Sequence, residues 1–398
     1  MLSISSKPAR ASKSRALIID RHAVMGIEVC RKLAAQGCWV EVFGHEMSPA
    51  FRSRYCHVRL PAPPWQERAR YLSVLRDTVE NGNYNEIYLC SEEVLELILP
   101  VLDSHPAWRA LLLPKAEFLK MTFSKSEMVE LAMRLGVPVP RTMVPSGAGE
   151  AASVAREMGF PVVVKGDKGE SAQNVRFARN DDELRRLYGE VAGREAAYGG
   201  KPAVQEFVPG LSYVVAGLFD HGRPLRICCH RKVFSYPASG GNTVKGITER
   251  HEDLLESAFR IFEALEYTGL AALDFLRDES TGKFKFLEIN PRIWARVGMA
   301  HYAGVDLFTP YRTLVKGLPV EGDLRFREGV QYHWLLGEFK VIAKRPLRIF
   351  GLIKDLLDPR SRFDFLWSDP RPFTRGPADL RRLFGRRPAA IPVRSQAR

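Results

Sequence analysis

The stretch that decides the fold is residues 269–292, GLAALDFLRDESTGKFKFLEINPR. Turn-forming residues at 278–282, DESTG, separate two segments in which apolar residues alternate with other residues, a pattern typical of a β-hairpin. With the turn centred near Thr281, Asp274 on the first strand lies opposite Glu288 on the second. The sequence therefore predicts a hairpin that brings two carboxylates together on one face, with Cβ atoms about 5 Å apart.

The other face of the same hairpin is apolar. The register pairs Leu273 with Ile289 and Phe275 with Leu287, which suits a hydrophobic core. Because side chains alternate between the two faces of a strand, Asn290 points the same way as the acid two residues before it. The register that buries the apolar face thus also gathers two carboxylates and one amide.

These three polar side chains form a candidate metal site. Carboxylates placed opposite each other repel, and a bound cation removes that cost. Mg²⁺ takes oxygen ligands of this kind and keeps several waters and phosphate oxygens around it. Solvated acids on a surface hairpin are the alternative, but these acids lie within apolar strands, so we interpret Asp274, Glu288 and Asn290 as metal ligands. Arg292 lies on the same face if the strand continues past Pro291, and it then reaches a phosphate that the metal bridges.

Composition bounds the class of protein. The chain has 398 residues, 45% of them hydrophobic, which is enough for two or three domains with proper cores. Helix-like and strand-like stretches alternate, which indicates α/β or α+β architecture. No apolar run approaches the roughly 20 residues of a membrane span, and the N-terminus lacks the apolar segment of a signal peptide. We therefore expect a cytoplasmic protein. The six cysteines match no CxxC or zinc spacing, and we interpret them as buried, reduced thiols.

The positive charge is concentrated in the tail. The net charge is +13, and residues 339–398 hold 15 Lys and Arg against 5 Asp and Glu. The rest of the chain is nearly balanced. This distribution argues against a nucleic-acid groove across the whole protein, and no nucleic-acid partner is expected.

The N-terminal part reads as a Rossmann-like layer. Residues 16–19 form a buried strand, a helix follows from about Gly26 to Gln36, and a second strand covers Trp39–Phe43. The turn between the first strand and the helix has no GxGxxG, which a dinucleotide needs for close approach of the backbone to its pyrophosphate. We therefore expect no nicotinamide cofactor.

Two lysines are candidates for phosphate binding. Lys125 falls in the first turn of a helix predicted over 124–136, where the helix dipole disfavours a cation, so it is either an ordinary surface residue or faces an anion. Lys165 ends a β-branched run and precedes a glycine loop, GDKGE at 166–170. Such a loop turns backbone N–H groups toward phosphates. It lacks the P-loop spacing, and a plain hairpin loop explains it equally well.

The order of these residues resembles the ATP-grasp superfamily. The residues that carry the resemblance are Lys125, Lys165 with its glycine loop, Gln205-Glu206-Phe207-Val208, Asp274, and Glu288-Ile289-Asn290-Pro291-Arg292. Within the superfamily the chain looks like the predicted carboligases related to biotin carboxylase and carbamoyl-phosphate synthase. The similarity covers roughly residues 16–320, and the hairpin is its most specific part. It implies an α/β protein with an ATP-grasp fold, built of α+β subdomains and preceded by the Rossmann-like domain.

The resemblance also implies a domain division. We expect a disordered basic N-terminus over 1–15, a Rossmann-like domain over 16–115, an ATP-grasp domain over 116–325, and a basic C-terminal extension over 326–398 that is disordered after about residue 370. The mixture of apolar and basic residues in 339–367 suits amphipathic helices lying on an anionic membrane. It also suits packing on the catalytic body, which we favour.

Roles for single residues follow from the same resemblance. It implies that the ATP phosphates contact Lys125 and Lys165, and that adenine contacts Gln205, Glu206, Phe207 and Val208. It also implies that Mg²⁺ or Mn²⁺ is held by Asp274, Glu288 and Asn290. The transferring phosphoryl group would contact Arg292.

The chain departs from the family pattern after the 205–208 segment. Many members, such as the D-alanine–D-alanine ligases, carry an acidic ribose contact there, whereas this chain has Leu211-Ser212-Tyr213. Either Ser212 replaces the acid or the ribose is held elsewhere. For the second substrate, Arg231 is a candidate for bidentate binding of a carboxylate. A solvated basic strand end explains Arg231 equally well.

The implied function is an ATP- and Mg²⁺-dependent carboxylate–amine ligase. Such enzymes convert a small-molecule carboxylate to an acyl phosphate, which an amine attacks. Two alternatives stay open: a carboxylase-type enzyme that activates bicarbonate, and a non-catalytic nucleotide-binding scaffold at the membrane surface. A homodimer and a peripheral contact with the inner membrane face through the basic tail also stay open.

Overall fold

The computed structural model describes residues 14–21, 25–166, 175–196, 200–238 and 241–373. The predictions of disorder for the two termini fall almost entirely outside these residues, and so does most of the glycine loop after Lys165.

The N-terminal domain is a four-stranded parallel sheet in the order β3-β2-β1-β4. Its elements are β1 (Arg15–Asp20), α1 (Met25–Ala35), β2 (Trp39–Gly44), β3 (Val58–Pro61), α2 (Arg68–Asn81), β4 (Glu86–Leu89) and α3 (Glu92–Ile98). The central strand β1 is a continuous buried run, as expected for a parallel strand covered on both faces. The Rossmann-like layer predicted from the sequence is confirmed.

A small antiparallel sheet follows, in the order β5-β8-β6-β7. Two helices lead into it, α4 (Ala116–Thr122) and α5 (Lys125–Arg134). Its own elements are β5 (Thr142–Met143), α6 (Ala148–Met158), β6 (Val162–Lys165), β7 (Val175–Ala178), α7 (Asp181–Glu195) and β8 (Ala203–Glu206). Alanines of α6 and leucines of α7 pack on the β-branched residues of β6, so this sheet has a separate hydrophobic core.

The largest layer is a seven-stranded sheet in the order β13-β12-β9-β10-β11-β14-β15. Its strands are β9 (Gly210–Asp220), β10 (Arg223–Tyr236), β11 (Asn242–Thr248), β12 (Gly269–Asp278), β13 (Phe284–Asn290), β14 (Gln331–His333) and β15 (Ser361–Phe363). The remaining helices are α8 (Glu252–Ala264), α9 (Val297–Tyr302), α10 (Phe308–Val315), α11 (Leu335–Lys344) and α12 (Arg348–Leu357). All pairs are antiparallel except β14 with β15.

The two faces of the large sheet serve different cores. Val215 and Cys229 pack with helix α8, whereas Val214 and Cys228 join the core of the N-terminal domain. Adjacent strand residues point to opposite faces, and this alternation explains the division. One hydrophobic core therefore runs through both the N-terminal domain and the large sheet.

The C-terminal segment joins this body. Residues 326–373, which we expected as an extension, add β14 and β15 to the large sheet. Arg31 of α1 donates from Nε to Asp369 Oδ2 at 3.0 Å, and Ser53 Oγ donates to the same oxygen at 2.8 Å. Both partners of this ion pair are almost fully buried, so the contact fastens the end of the described chain to the N-terminal domain.

Replacing Asp369 tests that attachment. Asp369→Ala removes one of the two carboxylates that pair with the buried Arg31 guanidinium, Glu28 being the other, and the free energy of unfolding is expected to fall by about 3 kcal/mol. The control is Asp323→Ala, which removes an exposed pair with Arg325 and is expected to cost about 1 kcal/mol or less. Urea denaturation measures both. Equal losses in the two variants would contradict a buried attachment.

Candidate active site

The hairpin of β12 and β13 has the predicted register around its acids. Asp274 pairs with Glu288, and Leu273 pairs with Ile289. The next pair differs from the prediction, because Phe275 lies opposite Phe286 and not opposite Leu287. An irregularity between Asp274 and Phe275 shifts the register by one residue on β13. The extra residue is a β-bulge directly beside the acid pair, a position where bulges commonly re-aim side chains.

The turn of this hairpin is built as its residue types predict. Gly282 donates its N–H to the carbonyl of Asp278 at 2.8 Å and has a φ of 70°, a conformation that favours glycine. The Asp278 carboxylate accepts bonds from the Ser280 N–H at 2.8 Å and hydroxyl at 2.7 Å. The turn is therefore closed by its own polar groups, and it holds the two strands in register.

The predicted polar cluster forms on one face of the hairpin. Asn290 donates from Nδ2 to Asp274 Oδ2 at 3.0 Å, and Arg292 donates from Nη2 to Asn290 Oδ1 at 3.1 Å. Strand β13 ends at Asn290, so Arg292 does not reach this place along a continued strand. A tight turn, in which the Arg292 N–H bonds the Asn290 carbonyl at 2.8 Å, brings the side chain back to the cluster.

Lys232 is a member of the cluster that the sequence interpretation missed. Its ammonium group forms an ion pair with Asp274 Oδ1. Lys232 lies on β10, and β9 separates that strand from β12. His230 on β10 pairs with Val214, which in turn pairs with Asp274. Lys232 is two residues beyond His230, on the same face, and its long side chain reaches diagonally across β9.

Arg231, the predicted substrate contact, lies on the other face of β10. Its Nε donates to Glu249 Oε1 at 2.8 Å, and the Tyr213 hydroxyl donates to the other oxygen of that carboxylate at 3.0 Å. Adjacent strand residues point to opposite faces, so the position of Lys232 in the cluster turns Arg231 away from it. Arg231 as a substrate ligand stays a prediction.

The oxygen atoms of the cluster suit a hard divalent cation. Asp274 is only 9% exposed, yet its carboxylate already carries Lys232 and Asn290 as partners. Glu288 is half-buried and has no hydrogen-bond or ion-pair partner among the residues that the structure describes. A partly buried carboxylate that lacks a partner, opposite a second carboxylate and beside an amide oxygen, is the donor set that Mg²⁺ takes in proteins.

A buried histidine adjoins the cluster. Both ring nitrogens of His230 lack a hydrogen-bond partner within the described part of the chain. Burial, together with the nearby positive charges of Lys232 and Arg296, lowers the pKa of the imidazole to about 3. His230 is therefore a neutral side chain at physiological pH.

The two candidate phosphate-binding lysines come together. Ser124 caps helix α5 by accepting a hydrogen bond from the Glu127 N–H at 3.3 Å, and Lys125 begins the helix. Lys125 Nζ donates to the carbonyl of Gly166 at 3.3 Å, directly after Lys165 at the end of β6. Lys165 is itself buried. The Lys125 ammonium group thus lies at the start of the glycine loop, beside the strand end that carries Lys165.

The predicted adenine segment joins the small sheet to the large one. Gln205 and Glu206 end β8, Phe207 and Val208 follow, and β9 begins at Gly210. Glu206 accepts from Lys285 Nζ at 2.7 Å and from Arg141 Nε at 2.9 Å.

The partners of Glu206 set its charge. Partial burial pushes the pKa of the Glu206 carboxyl up, but the hydrogen bonds from Lys285 and Arg141 outweigh it, so the pKa lies below its ordinary value. Ser212 lies on β9, paired with Leu276 of the hairpin. These positions connect the adenine segment to the strand that carries Asp274.

Neutral His230 makes stability depend on pH. The unfolded chain takes up a proton near pH 6.5, whereas folded His230 resists protonation until about pH 3. The folded state therefore gains its full stability from neutral His230 above pH 6.5, and this contribution to the free energy of unfolding is lost as the pH falls toward 3. Between pH 7 and pH 5 the wild type is expected to lose about 2 kcal/mol more than His230→Gln.

Urea denaturation at each pH measures this difference. His221→Gln removes an exposed imidazole and serves as the control, and we expect it to keep the wild-type dependence. A His230→Gln curve parallel to that of the wild type would show that His230 titrates in the folded state.

Comparisons with known proteins agree with this architecture. The model of the ATP-grasp domain matches residues 123–296, which include both lysines, the 205–208 segment and the hairpin. Biotin carboxylase 1 of Bacillus subtilis is 25% identical over 267 residues, or 62% of this chain and 57% of that protein. The chain therefore spans little more than half the length of this relative.

Solved structures show the same fold. A biotin carboxylase from Campylobacter jejuni, crystallised in a β,γ-ATP complex, matches with a TM-score of 0.67 at 16% identity. The match covers 79% of this chain and 74% of the carboxylase chain. An L-amino acid ligase from Bacillus licheniformis has a TM-score of 0.57 at 15% identity, over 79% of this chain and 76% of its own. The fold class predicted from the sequence is confirmed, and residues 123–296 match the model of the ATP-grasp domain.

Proposed function

We propose that the protein is an ATP- and Mg²⁺-dependent ligase that activates a carboxylate as an acyl phosphate for attack by an amine. The observation that carries the proposal is the cluster on the hairpin: Glu288 has no partner in the described chain and faces Asp274 within an ATP-grasp domain. Lys232 already pairs with Asp274, but Glu288 beside it keeps a charge without a partner in the described chain, and a bound cation would offset that charge.

The proposed reaction has two steps. A carboxylate oxygen of the substrate attacks the γ-phosphorus of ATP, the bond to the β-phosphate oxygen breaks, and ADP leaves. The amine nitrogen then attacks the acyl carbon, inorganic phosphate leaves with the former carboxylate oxygen, and the nitrogen loses a proton. Phosphoryl transfer depends on positioning and charge neutralisation more than on a nucleophilic side chain, and the cluster supplies charged and amide groups of that kind.

Each residue of the cluster has a task in this scheme. Asp274, Glu288 and Asn290 would hold Mg²⁺, which when bound neutralises phosphate charge. Arg292, oriented by its bond to Asn290 Oδ1, donates to oxygens of the transferring phosphoryl group. Lys232 adds a second positive charge on the same face, where an anionic substrate gains from it.

The nucleotide is proposed to lie between the small and the large sheet. Lys125 and Lys165 bind its phosphates as point charges at the glycine loop. The Glu206 carboxylate already bonds Lys285 and Arg141, and the backbone of Gln205 and Glu206 is paired in the small sheet. The backbone of Phe207 and Val208 is therefore the proposed contact with adenine. Ser212 is the proposed ribose contact.

A second candidate reaction activates bicarbonate in place of an organic carboxylate. The 25% sequence identity to biotin carboxylase 1 of B. subtilis favours this reaction. Bicarbonate is also an anion and suits the same positive groups, so only the measured substrate separates the two reactions. A non-catalytic scaffold has no use for Asp274, Glu288 and Asn290 together, and we rank it last.

The substrate class, the cellular location, the oligomeric state and the membrane contact are also proposals. The substrates are small molecules, and the protein acts in the cytoplasm, as a homodimer, with peripheral contact at the inner membrane face. None of the described helices combines the length and apolar character required to cross a membrane.

Removing the charge of Glu288 tests the catalytic proposal. Glu288→Gln keeps the shape of the side chain, and the rate of phosphate release is expected to fall about a hundredfold or more because charge neutralisation at the phosphates is weakened. The assay follows ADP and phosphate against a panel of amino acids, other small carboxylates and bicarbonate, and hydroxylamine traps the acyl phosphate as a hydroxamate.

The matched control is Glu256→Gln on helix α8, an exposed glutamate paired with Arg260. It is expected to keep the wild-type rate. A Glu288→Gln protein as active as the wild type would refute the assignment of the cluster, and ATP binding without turnover on every substrate would favour the scaffold.

A further inference from the structure

Helix α12 turns Arg348 and Asp355 inward. Arg348 Nη2 donates to Asp355 Oδ2 at 2.6 Å and to Glu338 Oε1 of helix α11 at 3.0 Å. Lys245 of β11 donates to the other oxygen of Asp355 at 2.7 Å. Arg348 and Asp355 lie seven residues apart, and buried Leu352 lies between them on the same helical stripe. Ion pairs to β11 and α11, together with buried Leu352, therefore hold the inner face of α12.

The opposite face of α12 is apolar and exposed. Five large residues share it at helical spacing: Ile349, Phe350, Ile353, Leu356 and Leu357. Phe350 is 69% exposed and Leu357 is 81% exposed, and Leu347 just before the helix is 80% exposed. We call the five helix residues with Leu347 and Phe339 the outward apolar face. A surface helix ordinarily buries its apolar side, so this reversal indicates a contact with something other than the described residues.

The charges around this face are positive. Lys344, Arg345 and Lys354 are exposed beside the apolar residues. The acids between residues 335 and 357 are Glu338 and Asp355, and both are buried in the ion pairs beneath the helix. The face therefore presents apolar side chains rimmed by lysine and arginine, the combination found in helices that lie in the interface of an anionic membrane.

We propose that the outward apolar face docks on an anionic lipid surface. This deepens the peripheral membrane contact proposed above and is independent of the catalytic proposal. A second copy of the chain is disfavoured, because a symmetric contact would bring two sets of exposed lysines together. Residues 374–398 of the chain hold seven arginines and one aspartate, so that segment has the wrong charge to cover a basic rim.

The helix pair is held firmly enough to present such a face. Arg348 stacks over the ring of Phe234 at 4.7 Å, and Lys340 over the ring of Tyr236 at 5.4 Å. Both rings belong to the end of β10, the strand that carries Lys232. A lipid surface bound to the outward apolar face would therefore lie beside the end of β10.

Vesicle sedimentation of the full-length protein tests the proposal. The probes are phosphatidylcholine vesicles and phosphatidylcholine vesicles with 30% phosphatidylglycerol, each without nucleotide. The wild type is expected to partition onto the anionic vesicles only, with affinity falling as salt rises. Phe350→Glu/Ile353→Glu is expected to lower the partition coefficient about a hundredfold or more, and Lys344→Glu/Lys354→Glu about tenfold or more.

The control is Lys316→Glu/Leu318→Glu, which changes an exposed lysine and leucine far from α12 in sequence and should bind as the wild type does. All variants keep the basic C-terminal segment and the Asp274 cluster, and circular dichroism checks that each variant is folded. A wild type that ignores anionic vesicles, or a Phe350→Glu/Ile353→Glu protein that binds unchanged, overturns the proposal. A dimer that this variant converts to monomers, without vesicle binding, assigns the face to a second copy.

Discussion

The pairing of Asp274 with Glu288 is the constraint on which the rest of the site depends. An antiparallel register places the two carboxylates on one face of β12 and β13, and the same register buries Leu273 and Ile289 on the other. A slip of one residue would move the acids into the core. The hydrophobic effect thus holds a charge arrangement that electrostatics alone would disperse.

The surrounding fold places this pair at the edge of a core. Ala272 packs in the hydrophobic cluster shared with the N-terminal domain, and Asp274, two residues later on the same face, marks the point where that cluster ends. Arg292 reaches toward helix α1, with Nη1 lying 3.8 Å from the sulfur of Met25. The cluster therefore borders both domains, a common position for a ligand site in proteins built from several domains.

The sequence predicted what is local and missed what depends on strand order. The hairpin register, the Rossmann-like layer and the ATP-grasp fold came from nearby residues and motif order. Lys232 was missed because its partner lies two strands away, and the Phe275 pairing was wrong because nothing in the sequence signals the bulge. Strands β14 and β15 have three residues each, too few to show a periodic pattern. The orientation of α12 was equally hidden, since its apolar spacing is the same whichever way it faces.

The most direct test of the account follows an oxygen atom. A carboxylate substrate labelled with ¹⁸O on both oxygens transfers one of them to phosphorus if it is activated as an acyl phosphate. Mass spectrometry of the released phosphate is then expected to show one ¹⁸O atom per turnover, and unlabelled water is expected to contribute none. Phosphate that carries no ¹⁸O, with amide product still formed, would mean that the carboxylate never attacks ATP at its γ-phosphorus and would contradict the proposed mechanism.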